Sequence, residues 1–201
     1  MGDHYESLEE LKSHETEGVD YEETLEDRNN KVTILSIHGG FIEYGTTEIA
    51  KEIAKDDLNH FNFSGLKKKS WKLHVTSHLF NHEGLESLLE KSDTSVSIHG
   101  CDLKSLKEPA ICIGGLNEKL KTLIKIHLEG AGFKVDFEHF PADYPINVVN
   151  HAQNSGVQLE LTYALRESLF EDLLESYRKP NENFYIFTNA VRSAIERYLD
   201  L

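Results

Sequence analysis

The chain has 201 residues, a formal charge of −14 at pH 7, and 28% charged against 39% hydrophobic residues. That length suits one domain burying roughly 70% of its unfolded surface, and the acidic balance excludes a protein that grips nucleic-acid phosphates through a basic face. No run approaches the ~20 apolar residues of a membrane span. The acidic opening MGDHYESLEELKSHETEG also lacks the basic start and apolar core of a secretory signal, so a cytoplasmic product, released by lysis if at all, is expected.

Residues 1–30 have weak periodicity and are expected as an amino-terminal arm, with a single α/β domain over 31–201. Residues 32–37 read as a buried β-strand with His38 at its carboxyl end, where open α/β sheets place ligands. Gly39 and Gly40 allow the backbone to double back, so that Glu43 can present its carboxylate to the same point as the His38 imidazole. A helix follows near 46–56, capped by Thr46 or Thr47 and with Glu48 in its first turn. Strands are expected near 60–64 and 71–76, then a polar helix near 82–91.

The segment TSVSIHG (94–100) repeats the pattern of β-formers ending in Ile-His-Gly and contributes His99. Two histidines and a glutamate form the three-ligand set of a hydrolytic zinc site, with a fourth position left open. His38 alone reads as a hydrogen-bonded structural residue; it is the combination with Glu43 and His99 that points to metal. His74, within LHVTS, reads as structural or as support for a ligand, with direct metal ligation as the alternative. Cys101 and Cys112 lack the spacing of a zinc knuckle or redox motif and read as buried thiols, with Cys101, two residues after His99, alternatively lining the site.

Another short strand is expected at 110–114. Leu120, Ile124, Leu128 and Ala131 recur at helical spacing until Gly132, ahead of a strand at 133–137. Residues 138–156 form the longest irregular stretch, a candidate substrate-covering loop. In GVQLELTYALR (156–166), Val157, Leu159 and Leu161 share one strand face and Gln158, Glu160 and Thr162 the other. Glu160 is thus a carboxylate on a rigid strand, either solvated or placed as the general base of amide hydrolysis. Arg166 is either a surface residue or a group that binds a substrate carboxylate or developing oxyanion. Helices are expected near 163–177 and, after Pro180, at about 183–199, where Phe184, Phe187, Val191, Ile195 and Tyr198 form a core-facing stripe. Alternating strands and helices imply an α/β sheet covered by helices.

The strings HGGFIEYGTTEIA (38–50), LHVTS (73–77), VSIHG (96–100), IGGLN (113–117) and NVVNHAQNSGVQLELTYALR (147–166) resemble, in order and over nearly the whole length, the phage and bacterial poly-γ-glutamate hydrolases. The resemblance implies a zinc carboxypeptidase-like domain: an open mixed β-sheet flanked by helices, Zn2+ held by His38, Glu43 and His99, and Glu160 as general base. Arg166 and Asn150 are the expected substrate-binding residues, although Asn147 and Asn150 could equally be turn residues bonded to their own backbone. The chain departs from the family pattern at Phe41, where relatives tend to have glycine, at Tyr44, where proline is common, and at His151, where arginine is expected.

The activity so implied is hydrolysis of γ-glutamyl amide bonds in poly-γ-glutamate by a monomer, with no nucleic-acid or membrane partner. The alternatives are a zinc amidohydrolase or deacylase on small acylated amino acids or peptides, and an inactive prophage-borne binding protein. Poly-γ-glutamate is a polyanion, so an acidic protein needs local positive charge at its cleft. Lys67, Lys68, Lys69, Lys119, Lys121 and Lys125 are the candidates, against the plainer possibility of a solvated face.

Overall fold

The computed structural model describes residues 3–102, 105–136, 139–140 and 142–200. Its thirteen principal elements are α1 (Leu8–His14), β1 (Tyr21–Glu26), β2 (Val32–Gly40), α2 (Thr46–Ala54), β3 (Asn59–Gly65), α3 (Glu83–Lys91), β4 (Thr94–Cys101), β5 (Ile111–Gly114), α4 (Glu118–Gly130), β6 (Val135–Asp136), β7 (Gly156–Thr162), α5 (Tyr163–Ser168) and α6 (Glu182–Leu199). The strands form one mixed sheet in the order β1-β3-β2-β4-β7-β5-β6. The central strands β3, β2, β4 and β7 run parallel, while β1 and the β5–β6 pair run against them. This is the open, helix-flanked α/β sheet expected from the alternating pattern.

Each sheet face has its own core. Val32, Ile34, Val96, Ile98, Val157, Leu159 and Leu161 pack against apolar residues of α2, α4 and α6 on one face. Leu35, Ile37, Phe61 and Phe63 meet Leu8 and Leu11 of α1 and Leu85 and Leu89 of α3 on the other. The two-residue alternation of β4 and β7 therefore turns Ser97 and His99, and Gln158, Glu160 and Thr162, away from the first core. The central parallel strands carry buried side chains on both faces, the usual condition of parallel strands covered on both sides.

Three local expectations differ from the structure. The segment expected as an arm supplies α1 and the edge strand β1, whose Tyr21 stacks on Phe63 at 5.0 Å. Residues 71–76 form no strand: β3 already has β1 and β2 as neighbours, and the chain instead makes 3-10 turns at Ser70–Leu73 and Ser77–Leu79. The helix expected over 163–177 stops at Ser168, where the chain turns to pair Phe170 with Pro180 and to donate from Asn181 N to Leu169 O. Residues 137, 138 and 141, parts of an expected strand and loop, lie outside the described residues. Among the described residues, no helix is long and apolar enough to cross a membrane.

Candidate metal and hydrolytic site

His38 comes from the carboxyl end of β2. Between Ser36 and Gly39 the register with β3 shifts by one residue, a bulge that breaks the strand's alternation and aims the imidazole off the end of the sheet. The turn that follows is closed by the Glu43 N–H donating to His38 O at 2.9 Å, and by Thr46 Oγ1 donating to Glu43 O at the same distance. Gly40 makes the turn possible: its φ is +66°, and a Cβ there would lie 2.3 Å from Gly65 O.

Glu43 thereby reaches the same point as His38. Glu43 Oε1 lies 3.1 Å from His38 Nδ1, and Glu43 Oε2 lies 3.5 Å from His99 Nδ1 and accepts from Gly100 N at 2.8 Å. His38 Nδ1 and His99 Nδ1 are 3.0 Å apart. The Nε2 of His38 is taken by Val75 O at 2.9 Å, leaving Nδ1 as the atom that faces the cluster. His99 Nε2 is buried without a hydrogen-bond partner among the described residues.

Burial works to raise the Glu43 pKa, but the His38 charge and hydrogen bonds from both histidines outweigh it and hold the carboxyl well below the usual carboxylate range. His99 is raised: burial opposes its charge, but Glu43 and Glu160 more than compensate.

The donor set fits a tetrahedral cation. At the 2.0–2.1 Å bonds zinc makes to nitrogen and oxygen, neighbouring donors of a tetrahedron lie about 3.3–3.4 Å apart; the two imidazole nitrogens here are 3.0 Å apart, and the Glu43 carboxylate lies 3.1 Å from one through Oε1 and 3.5 Å from the other through Oε2. His74 stands beside this set. Its ring lies 4.0 Å, centroid to centroid, from that of His38, and its Nε2 is 3.9 Å from Glu43 Oε1. Donor atoms of His38, Glu43 and His74 also lie within 4.8 Å of one another.

Glu160 sits beside His99 in the β4–β7 register. Its carboxylate accepts from Gln158 Nε2 at 3.0 Å, and Gln158 Oε1 accepts from Asn147 Nδ2 at 3.3 Å. Burial pushes the Glu160 carboxyl up to about 7, with His99 and Arg166 opposing and Glu43 reinforcing the shift. All these groups except Arg166 line one cavity of about 390 Å³, along with Thr76, Ser77, His78, Gly100, Cys101, Asp102, Phe140 and Ala142.

The two expected substrate-binding residues have other partners. Arg166 is buried, and its guanidinium donates to Tyr44 O at 2.8 Å, Leu161 O at 3.2 Å and Cys101 O at 3.5 Å, underneath Gly100. Asn150 Oδ1 accepts from Leu116 N at 3.1 Å, and its Nδ2 donates to Ala142 O and Tyr144 O at 2.8 and 2.9 Å. Both side chains thus hold backbone around the cavity rather than facing into it. His151 pairs with Glu86 at 2.8 Å. Phe41 and Tyr44 stack over the Arg178 guanidinium, whose carbon is 5.0 and 5.1 Å from their ring centres, so their departures from the family pattern serve that contact. The lysines considered for polyanion binding do not line the cavity. Lys67 pairs with Asp20, Lys121 with Glu118 and Lys125 with Glu129, and Lys119 lies over Tyr198.

Sequence reasoning missed Asp3. Its carboxylate accepts from Thr76 N and Thr76 Oγ1 at 2.7 and 2.6 Å, and Oδ1 lies 2.6 Å from His74 Nδ1. The only sequence signal near this arrangement is the histidine of LHVTS.

Known proteins match this chain at about 30% identity. The structure of the bacteriophage poly-γ-glutamate hydrolase superposes with a TM-score of 0.94 at 30% identity, covering 99% of each chain. A zinc-free apo structure of YNDL matches with a TM-score of 0.89 at 29% identity, over 98% of this chain and 99% of the other. The UPF0714 protein YndL of Bacillus subtilis (strain 168) is 30% identical over 198 residues, which is 94% of this chain and 76% of the relative. The poly-gamma-glutamate hydrolase family model matches residues 5–190, and the chain belongs to that family.

Proposed function

We propose that the protein is a zinc-dependent hydrolase that cleaves the γ-glutamyl amide bonds of poly-γ-glutamate, with His38, Glu43 and His99 holding the metal and Glu160 as general base. The observation that carries this is the convergence of three donor side chains, with contacts of 3.0–3.5 Å, beside a buried carboxylate on the neighbouring strand, in a chain of this family. The zinc-free form of the related YNDL structure supports the choice of metal. When bound, zinc supplies a Lewis acid that polarises a carbonyl and acidifies water.

The chain's own groups do the rest. Val75 O fixes the His38 tautomer, and Gly100 N orients Glu43. Glu160, desolvated and hence more basic than a surface carboxylate, takes a proton from the attacking water and later delivers it to the leaving amine. Gln158 and Asn147 form a relay of hydrogen bonds that aims it. Arg166 acts as a positioning residue by tying the turn at Tyr44 to the end of β4. Substrate carboxylates would meet the polar wall of Thr76, Ser77, His78 and Asn147.

The test is the size distribution of poly-γ-glutamate after incubation with the purified protein, with chelated protein, and with chelated protein given back zinc. Shortening that disappears with the chelator and returns with zinc is the expected result. Full-length polymer in every arm would overturn the substrate assignment.

A further inference from the structure

The β-sheet register lines up four chemically active residues across adjacent strands. His99 on β4 pairs with Glu160 on β7, Glu160 pairs with Cys112 on β5, and Cys112 pairs with Asp136 on β6. Register partners share a sheet face, and strands are spaced about 4.8 Å apart, so Cys112 lies about 10 Å from the His99 strand, on the far side of Glu160. The hydrolytic site uses only the first two of the four.

At the other end of this row a second donor cluster is assembled. Cys112, Asp136 and His139 each offer one ligand atom, all within 4.8 Å of one another. Asp136 Oδ1 accepts from His139 N at 3.2 Å and lies 3.0 Å from His139 Nδ1. The Cys112 thiol lies close enough to Cys101 and Asp136 for both to shift its pKa. A thiol, an imidazole and a carboxylate are the three donor types of borderline-soft divalent transition metals, and calcium and magnesium avoid such mixed sets. Closing from 4.8 Å to a coordination sphere requires movement on the order of 1 Å. His139 can supply it, since a third of its side chain is exposed.

We infer that Cys112, Asp136 and His139 form a second binding site for a divalent transition cation such as zinc, separate from the His38–Glu43–His99 centre. Its position gives it a structural consequence. Phe140, next to His139, lines the hydrolytic cavity and also packs on the small cluster of Leu106, Ala110 and Cys112. A cation held between the β5–β6 edge and His139 would therefore pin that wall of the cavity. The inference does not depend on which polymer or peptide the hydrolytic site accepts.

The probe is Co2+, added to metal-free full-length protein under anaerobic conditions. Expected are two equivalents per chain, one accompanied by near-ultraviolet thiolate-to-cobalt charge-transfer absorption. His139→Gln should remove that band and one equivalent; Asp136→Asn should weaken the same equivalent at least tenfold. His99→Gln should leave the band in place while losing the other equivalent. His139 is partly exposed, so its variant tests the site without disturbing the buried Cys112. A single equivalent with no thiolate band in the wild-type protein would overturn the proposal. So would a band that survives His139→Gln, since that would place the thiolate contact at Cys101 in the hydrolytic cavity. A single wild-type equivalent that carries the thiolate band and is unchanged in His99→Gln would count against the hydrolytic zinc site and not against this one.

Discussion

Asp3 holds His74: its Oδ1 lies 2.6 Å from His74 Nδ1, while the opposite ring nitrogen, Nε2, is directed at Glu43 Oε1, 3.9 Å away. A carboxylate on one ring nitrogen fixes the tautomer and orientation of the other, which is how supporting residues tune histidines at metal sites. The amino-terminal segment therefore supports the site wall from behind, and its acidic residue orients an imidazole whose ring lies 4.0 Å from that of His38.

The first prediction concerns that contact. Asp3→Asn keeps the shape and removes the charge-assisted bond, and it should lower zinc affinity or kcat/KM by about tenfold, the low end of what such supporting residues contribute. Equilibrium zinc titration and steady-state kinetics measure the two separately. Unchanged values in both would reduce His74 to a passive part of the wall.

Metal binding should also be visible in stability. A ligand bound only by the folded chain at about 1,000 times its Kd adds about 4 kcal/mol. For a domain of this size that is a rise in Tm of about 8–16 °C. Calorimetry of the chelated protein with and without zinc should show this shift in the wild type and a smaller one in His99→Gln, which keeps the Cys112, Asp136 and His139 donors. An equal shift in the variant would mean that His99 is not a zinc ligand.

The contrast between Glu160 and Arg166 shows how much of this was legible. Strand alternation in GVQLELT placed Glu160 on the face opposite Val157, Leu159 and Leu161, and the structure has it there, because a period of two is a local property of the backbone. The β-like runs ending at His38 and His99 were legible for the same reason. The partners of Arg166 were not, since Tyr44 is 122 residues away in sequence and a backbone carbonyl leaves no mark in side-chain pattern. Asp3 and His74, 71 residues apart, meet only because residues 71–76 turn instead of extending as a strand. The short extent of α5 was hidden similarly: helical composition continues past Ser168, but the Phe170–Pro180 bridge overrides it.

Gly100 and Arg166 make a paired test of the cavity floor. A Cβ on Gly100 would lie 2.5 Å from the Arg166 guanidinium carbon, and the guanidinium is held by three carbonyls, so Gly100→Ala should destabilise by about 1–3 kcal/mol through overpacking. Arg166→Lys, which leaves buried carbonyls unpaired, should cost about as much. Urea unfolding reads both. If Arg166 instead anchored a substrate carboxylate, its lysine variant would keep its stability and raise KM alone, an outcome that would reverse the positioning role given to it here.

Glu160→Gln separates catalysis from stability. Removing the base should cost at least about 10²-fold in kcat with zinc content unchanged; an active variant would sink the general-base assignment. The metal-free protein should respond in the opposite sense. The folded-state pKa of about 7 lies above the ordinary value of 4.5, chiefly through burial, so the fold favours the protonated carboxyl. That favourable contribution is complete below about pH 4.5 and is lost as pH rises through 7. The neutral amide of the variant has no such dependence. Metal-free Glu160→Gln should therefore be more stable than wild type at pH 8, by roughly 3 kcal/mol at the conversion of 1.36 kcal/mol per pKa unit, with the gap closing towards pH 4.5. Chelated wild type and variant, melted in parallel across that range, provide the measurement. A gap that stays constant with pH would mean that Glu160 is not the buried, raised carboxyl that the site requires.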